Sequence, residues 1–243
     1  GSSILTISEG GTAQLWDSGG ILRARIEGVV GDIRSAYSSS DGLQLTTIHN
    51  GGIARLWAFN GDLINLIRVR DAELRTVSYH PNGEQIIVTY DGVPFPEVRR
   101  LSDGRIVGKV DYTFRNGILT ANFSPDGEKI LTTHQHKIVM WSKAGKLLWQ
   151  FDNADSPDAA SFNHAGSQFI TASADSAAKI WDAQAGKLFM TIPHGKPVKA
   201  VNFSPDDAWI ATASADGVTR VWNSQDGKPR LEITNTWGVN SLS

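Results

Sequence analysis

Two pairs of polar side chains in this sequence have types and spacings that could carry chemistry. His134 and His136 are one residue apart, and alternate residues of a strand share a face, so both imidazoles could reach one metal ion. Asp175 and Asp216 could serve as paired carboxylates in acid–base catalysis. No third ligand accompanies the histidines, and no serine–histidine–aspartate set is evident. We therefore expect no metal, no cofactor and no catalytic residue.

The spacing of the two aspartates belongs to a longer regularity. They lie 41 residues apart, and the segment AQLWDSGG recurs as ARLWAFNG, EVRRLSDG, IVMWSKAG, AKIWDAQAG and TRVWNSQDG. A period near 40 residues is typical of repeat architectures. Both aspartates are then explained as turn residues of successive repeats. The equivalent positions, spaced by 41, 43, 41, 40 and 41 residues, are Trp16, Trp57, Arg100, Trp141, Trp181 and Trp222.

Each repeat has the pattern of four short strands. Runs rich in Val, Ile, Thr and aromatic residues are separated by Gly, Asp, Asn and Pro turns, as in residues 198–234. No segment keeps a helical hydrophobic period over ten residues. A single four-stranded antiparallel unit cannot bury both of its faces. Packing such units side by side around an axis buries them and leaves only short edges.

The repeats resemble a known family. The segments VNFSPDDAWIATASADGVTRVWN, ANFSPDGEKI and FITASADSAAKIWD are similar to WD40 repeats, strongly over 117–234 and more weakly before. The resemblance implies an all-β fold, a six-bladed β-propeller of four-stranded antiparallel blades. We expect a single domain spanning 1–243, with blades at 1–27 plus 237–243, 32–70, 73–112, 117–151, 156–193 and 196–234.

The two chain ends are expected to share one blade. Residues 1–27 supply the second, third and fourth strands of a blade, whereas VNSLS at 239–243 matches the start of a first strand. Val239 follows Val198 by 41 residues, one repeat period. We predict that this C-terminal strand pairs with the first N-terminal strand and closes the ring.

The family resemblance also implies a hydrogen-bonded tetrad that braces a blade. Its members are a His before the first strand, a Ser or Thr on the second, an Asp in the next turn and the Trp of the third. One repeat matches fully, with Ser214 or alternatively Thr212 as the hydroxyl. The tetrad expected there is His194, Ser214, Asp216 and Trp222. The other repeats lack one or more members, so we expect packing to hold most blades.

Partner binding is expected on one face of the propeller. In WD40 proteins this face is formed by the loops that join blades and by the turns between the second and third strands. Carried over by position, the candidate contacts include three long cations, which would suit an acidic or phosphorylated peptide. The candidates are Glu9, Asp32, Arg34, Asn50, Glu73, Arg75, His134, Asp158, Lys199, Trp237 and Asn240.

Composition narrows the partner class. The net charge is −2, there is no cysteine, and no apolar run approaches the length of a membrane span. Acidic residues interrupt the densest basic patches, which favours a solvated face over nucleic-acid contact. We expect a cytoplasmic monomer, a non-catalytic scaffold or sensor that binds a protein or peptide, with no nucleic acid and no membrane. A propeller enzyme with substrate at the channel mouth is one alternative. The other is a regulatory part of a larger chain, since FSPDG-containing arrays without cysteine resemble bacterial multidomain proteins.

Overall fold

Every regular element that the structure describes is a β-strand. The computed structural model describes residues 3–7, 12–17, 19–26, 33–39, 43–58, 60–68, 73–110, 117–152 and 156–234, which contain 23 strands. Within these ranges no helix is long and apolar enough to cross a membrane. The chain divides into two compact units, Gly1–Thr113 and Phe114–Ser243.

The N-terminal unit contains three antiparallel sheets, each formed by strands consecutive in sequence. Sheet 1 consists of β1 (Ser3–Ile7), β2 (Ala13–Asp17) and β3 (Leu22–Ile26). Sheet 2 consists of β4 (Ile33–Ser38), β5 (Gln44–His49), β6 (Ile53–Ala58) and β7 (Leu63–Arg68). Sheet 3 consists of β8 (Leu74–Tyr79), β9 (Gln85–Tyr90), β10 (Glu97–Arg100) and β11 (Ile106–Lys109).

The C-terminal unit contains three further sheets of the same form. Sheet 4 consists of β12 (Thr120–Phe123), β13 (Lys129–His134), β14 (Lys137–Ser142) and β15 (Leu147–Asp152). Sheet 5 consists of β16 (Pro157–Phe162), β17 (Gln168–Ser173), β18 (Ala177–Asp182) and β19 (Leu188–Pro193). Sheet 6 consists of β20 (Val198–Phe203), β21 (Trp209–Ser214), β22 (Val218–Asn223) and β23 (Pro229–Thr234).

These sheets confirm the predicted all-β fold of six antiparallel blades. Five sheets have four strands each, joined in sequence order as in a β-propeller. Sheet 1 has three, which are the second, third and fourth strands of the predicted blade. The segment predicted to complete it, 239–243, lies outside the described residues. Closure by the chain ends therefore stays a prediction.

Neighbouring sheets within each unit bury apolar side chains against each other. Because side chains alternate across a strand, the central strands of sheet 2 present one apolar row to sheet 1 and another to sheet 3, and those of sheet 5 pack in the same way on sheets 4 and 6. In the N-terminal unit, Ile48 and Leu56 of sheet 2 pack with Val88 of sheet 3. In the C-terminal unit, Ile180 of sheet 5 packs with Ile210 of sheet 6. Packing between consecutive sheets is what a lone blade cannot supply.

Polar contacts also join consecutive sheets. The Asp207 carboxylate, in the first turn of sheet 6, accepts hydrogen bonds from Asn163 Nδ2 at 3.1 Å and from the His164 backbone N–H at 2.6 Å in the first turn of sheet 5. Asp207 has a φ of 57°, a left-handed conformation that aspartate tolerates better than most residues. The first turns of sheets 5 and 6 therefore contact each other directly through Asp207.

Candidate functional site

Among the described side chains, a tryptophan–threonine hydrogen bond braces sheets 2, 4, 5 and 6. In each, the indole N–H on the third strand donates to a threonine Oγ1 on the second strand. Both side chains are buried, so each polar group finds its partner inside the protein. The bonds are Trp57–Thr47 at 2.8 Å, Trp141–Thr132 at 2.9 Å, Trp181–Thr171 at 3.0 Å and Trp222–Thr212 at 2.9 Å.

The hydroxyl of the predicted tetrad in sheet 6 is Thr212, so the choice of Ser214 was wrong. His194 Nε2 lies 2.8 Å from Thr212 Oγ1, the atom that also accepts from Trp222. Ser214 ends its strand opposite Val198, and its hydroxyl donates to the Lys196 carbonyl at 3.1 Å. Trp222 pairs with Ile210, so its indole reaches the next residue on that face, which is Thr212 and not Ser214.

The aspartate of the predicted tetrad forms an ion pair with an arginine of its own sheet. Asp216 Oδ2 lies 2.7 Å from Arg220 Nη1, and its other oxygen accepts the Val218 N–H at 2.9 Å. It therefore fixes the turn and the start of β22. The brace in this sheet is a Trp–Thr–His chain with an adjacent Asp–Arg pair.

In two other sheets, the histidine that contacts the threonine lies on the second strand itself and not before the first strand. In sheet 2, His49 Nε2 lies 2.8 Å from Thr47 Oγ1, and in sheet 4, His134 Nε2 lies 3.1 Å from Thr132 Oγ1. Each histidine is two residues after its threonine on the same strand, so both point to the same face. The sequence pattern places the histidine before the first strand, and among the described histidines that contact a threonine only His194 follows it.

His134 is consequently a buried brace residue, and its prediction as a partner contact was wrong. Its side chain is 3% exposed, with Nδ1 3.1 Å from the Gly117 carbonyl. Because Trp141 already donates to Thr132, the Thr132 hydroxyl proton is available to His134 Nε2, which leaves the Nδ1 proton for Gly117. Both ring nitrogens are used, while His136 is exposed in the turn. Among the described residues no cluster of His, Asp or Glu is placed to hold a metal.

Burial of His134 predicts an acid-sensitive contribution to stability. Burial lowers its pKa from 6.5 to about 4, with a smaller effect from the charge of Lys137. The folded state then binds fewer protons than the unfolded state between these values, so this contribution is full above pH 6.5 and is lost as the pH falls toward 4. We expect His134→Gln to reduce the fall in unfolding free energy between pH 7 and pH 5 by about 2 kcal/mol.

Urea unfolding at the two pH values measures this difference. The matched control is His136→Gln, which removes an exposed imidazole two residues further along and keeps the buried one. Equal pH dependence of His134→Gln and the parent chain would contradict the assignment.

Sheet 3, whose repeat lacks the tryptophan, is braced by a buried ion pair. Arg99 Nη2 donates to Glu97 Oε2 at 2.7 Å, and the Tyr90 hydroxyl donates to the same oxygen at 2.9 Å. Tyr90 is 1% exposed, and burial is the first cause of its raised pKa, so it stays protonated. Arg99 Nη1 also donates to the Gly104 carbonyl at 2.9 Å. Sequence analysis missed this network, although Glu97 and Arg99 at alternate positions were its signal.

The partner-contact candidates on the first strands share one backbone feature. The pairing register of the first strand shifts between Ile33 and Ser35 in sheet 2, and at the corresponding position in three other sheets. Such a bulge leaves one extra residue unpaired and redirects its side chain. The extra residues are Arg34, Arg75, Asp158 and Lys199.

Only some of these candidates have described side chains. Arg75 and Lys199 are exposed, whereas the side chains of Arg34 and Asp158 lie outside the described part. Asn50 is exposed in the turn after β5. Glu9, Asp32, Trp237 and Asn240 fall outside the described residues altogether, so their assignment stays a prediction.

Glu73 is engaged in holding a turn. Its Oε1 accepts the Gly51 backbone N–H at 3.0 Å, and its carbonyl accepts the Asp91 N–H at 2.8 Å. It thus joins the turn after β5 to the first strand of sheet 3. A structural role accounts for this carboxylate within the N-terminal unit.

A pocket of about 370 Å³ lies beside Arg75. It is lined by Ser35 and Tyr37 of sheet 2 and by Leu74, Arg75 and Asp91 of sheet 3. Arg75 Nη1 and Asp91 Oδ1 are 3.2 Å apart, with side chains 40% and 48% exposed. Burial raises the pKa of Tyr37, so its hydroxyl stays protonated and can donate. The pocket therefore offers both signs of charge, hydroxyl groups and an apolar wall at one end of two adjacent sheets.

A comparison of the sequence with known protein families identifies two of these repeats. A family model described as WD domain, G-beta repeat matches residues 145–182 and 186–223. Each match takes the last strand of one sheet and the first three of the next, so consecutive repeats interlock neighbouring blades. A comparison with curated proteins gives no significant match. Residues 145–182 and 186–223 are thus WD40 repeats, and the succession of antiparallel sheets is consistent with a WD40 propeller.

Proposed function

We propose that this protein is a non-catalytic interaction module, acting as a scaffold or sensor, that binds a protein or peptide at the pocket formed by Ser35, Tyr37, Leu74, Arg75 and Asp91. WD40 repeats generally mediate protein–protein interactions and are typically non-catalytic. The observation that carries the proposal is the exposed Arg75–Asp91 pair at the mouth of a pocket between two sheets. A rigid sheet scaffold holding such loop-end groups is the usual arrangement of a recognition surface.

The chemistry of the pocket suits a peptide segment. Arginine and tyrosine are favoured at the energetic centres of protein interfaces, and both are present here. The arginine fork can hold a carboxylate or a backbone carbonyl, and Asp91 can accept a partner's N–H group. Leu74 is buried below them and closes the floor of the pocket. These features support recognition of an extended polar segment.

Arg75→Ala is expected to weaken binding without destabilising the protein. Peptides selected from a displayed random library on the parent chain supply the ligand, and titration calorimetry measures their affinity. We expect a loss of about tenfold or more, because Arg75 lies at the pocket mouth. An exposed ion pair contributes about 0–1 kcal/mol to stability, so the melting temperature should hardly change.

The matched control is Arg105→Ala. Arg105 also faces an aspartate of sheet 3, with its Nε 3.7 Å from Asp103, but it lies in the turn at the opposite end of the sheet. We expect this variant to bind the selected peptides as the parent chain does. Equal affinities for all three proteins would reject the pocket as the binding site.

A further inference from the structure

A cation two residues before the third-strand tryptophan recurs in three sheets. In sheet 5, Lys179 Nζ lies 2.6 Å from Asp175 Oδ2. In sheet 6, Arg220 lies 2.7 Å from Asp216 Oδ2 through Nη1 and 2.9 Å from Glu232 Oε1 through Nε. These cations therefore have carboxylates of their own sheet as counterions, supplied by the preceding turn and, in sheet 6, also by the fourth strand.

Sheet 2 keeps the cation and lacks both carboxylates. Arg55 occupies this position, but the turn residue equivalent to Asp216 is Gly51. The residue that pairs with Arg55 on β7 is Leu66, where sheet 6 has Glu232 paired with Arg220. Among the described residues Arg55 forms no ion pair, and its Nη1 is shielded from solvent with no hydrogen-bond acceptor. A shielded guanidinium N–H without an acceptor is unfavourable.

A second cation lies on the same face. Arg68 pairs across the sheet with Ile53, two residues from Arg55, so the two arginines are on one side of sheet 2. Burial first, and then the charge of Arg68, lowers the pKa of Arg55. Arg68 is exposed and ends β7, at the end of the sheet where the turn 50–52 lies. Two like charges thus face one solvent-accessible region.

We propose that Arg55 and Arg68 form a binding site for an oxyanion, either a carboxylate or a phosphate group. Paired guanidinium groups present several N–H donors and hold both kinds of oxyanion through parallel hydrogen bonds. The bound anion replaces the two carboxylates that the equivalent cation has in sheet 6. This inference rests on the proposed function in one respect. The anion is supplied by an acidic or phosphorylated side chain of the bound segment.

Small anions test the site separately from peptide binding. Titration calorimetry at constant ionic strength with glutarate and with pyrophosphate distinguishes a carboxylate from a phosphate source. We expect one or both to bind the parent chain, and Arg55→Gln to weaken that binding about tenfold or more. A site that binds neither anion is not the one proposed here.

Leu66→Glu is the sharper variant because it restores the carboxylate found in sheet 6. Leu66 is 43% exposed, so the substitution leaves no cavity. We expect loss of anion binding together with a melting temperature about 2–4 °C higher, since Arg55 gains an internal partner. The control Leu63→Glu changes an exposed leucine of the same strand that pairs with Trp57 instead, and it should keep the anion affinity of the parent.

The outcomes separate the two proposals. Undiminished anion binding by Leu66→Glu overturns the oxyanion site, whatever the peptides do. Anion binding that follows these variants supports it even if peptide binding is insensitive to Arg75→Ala, a result that would reject the proposed pocket alone.

Discussion

Replacing Glu97 with alanine is expected to lower the free energy of unfolding by about 3–5 kcal/mol. The carboxylate is the shared acceptor for Arg99 and the Tyr90 hydroxyl, and its side chain is 11% exposed. Its removal leaves a guanidinium charge and a phenol hydroxyl buried without that partner. Loss of one member of a buried ion pair is among the largest effects of single substitutions.

Urea unfolding of the single and double variants measures this effect. The double variant Glu97→Leu/Arg99→Leu should recover most of the loss, because apolar residues often replace a buried ion pair at little cost. Asp103→Ala, which removes an exposed partner of Arg100 and Arg105, should change stability by less than about 1 kcal/mol. A Glu97→Ala variant no less stable than Asp103→Ala would contradict the buried network.

Thr212→Val is expected to destabilise the protein by about 2–4 kcal/mol. The substitution keeps the side-chain shape and removes the oxygen that accepts from Trp222 at 2.9 Å and contacts His194 Nε2 at 2.8 Å. The buried indole N–H and the half-buried imidazole then lose their partner. The penalty for each unsatisfied buried polar group is about 1–3 kcal/mol.

Ser214→Ala is the matched comparison for this prediction. Its hydroxyl donates to the Lys196 carbonyl at 3.1 Å and accepts the Asp216 N–H at 3.5 Å, two long bonds to the backbone, so a cost of about 1 kcal/mol is expected. Denaturant unfolding of the two variants under one condition ranks them. The opposite order, with the serine variant the less stable, would show that the tetrad uses Ser214.

The repeat made much of the fold predictable. A fixed spacing of tryptophans and turn residues determines where strands begin and end, and the described sheets follow that spacing. Residues 1–27 were predicted to supply three strands of the first blade, and sheet 1 contains three strands in the described residues. The same periodicity identified Arg75 and Lys199 as equivalent positions, and both proved to be bulge residues.

The side-chain networks were less predictable, because they depend on reach across the sheet. Thr212 and Ser214 have the same chemistry and lie on the same strand face, and only the pairing of Trp222 with Ile210 selects the threonine. His134 follows a strand pattern that ends in a turn, so sequence alone could not tell its burial from the exposure of His136. Which hydroxyl accepts the indole N–H and which histidine is buried depend on the distance of each residue from the end of its strand. The residue types alone do not give that distance.

The Arg55 site shows what comparison among repeats adds. Nothing in the local sequence marks Arg55 as unusual until sheet 6 shows which carboxylates belong around an equivalent cation. Gly51 and Leu66 then become informative because they lack charge. A diverged repeat thus carries its functional signal in the difference from its neighbours.

Hydrogen exchange with and without a library-selected peptide tests the interaction-module account most directly. We expect slower exchange at the turns 50–52 and 90–92, which lie at the pocket end of sheets 2 and 3. Exchange at the turns 60–62 and 102–104, at the opposite end, should not change. Protection confined to that opposite end, or to the exposed fourth strands, would contradict the assignment of the binding surface.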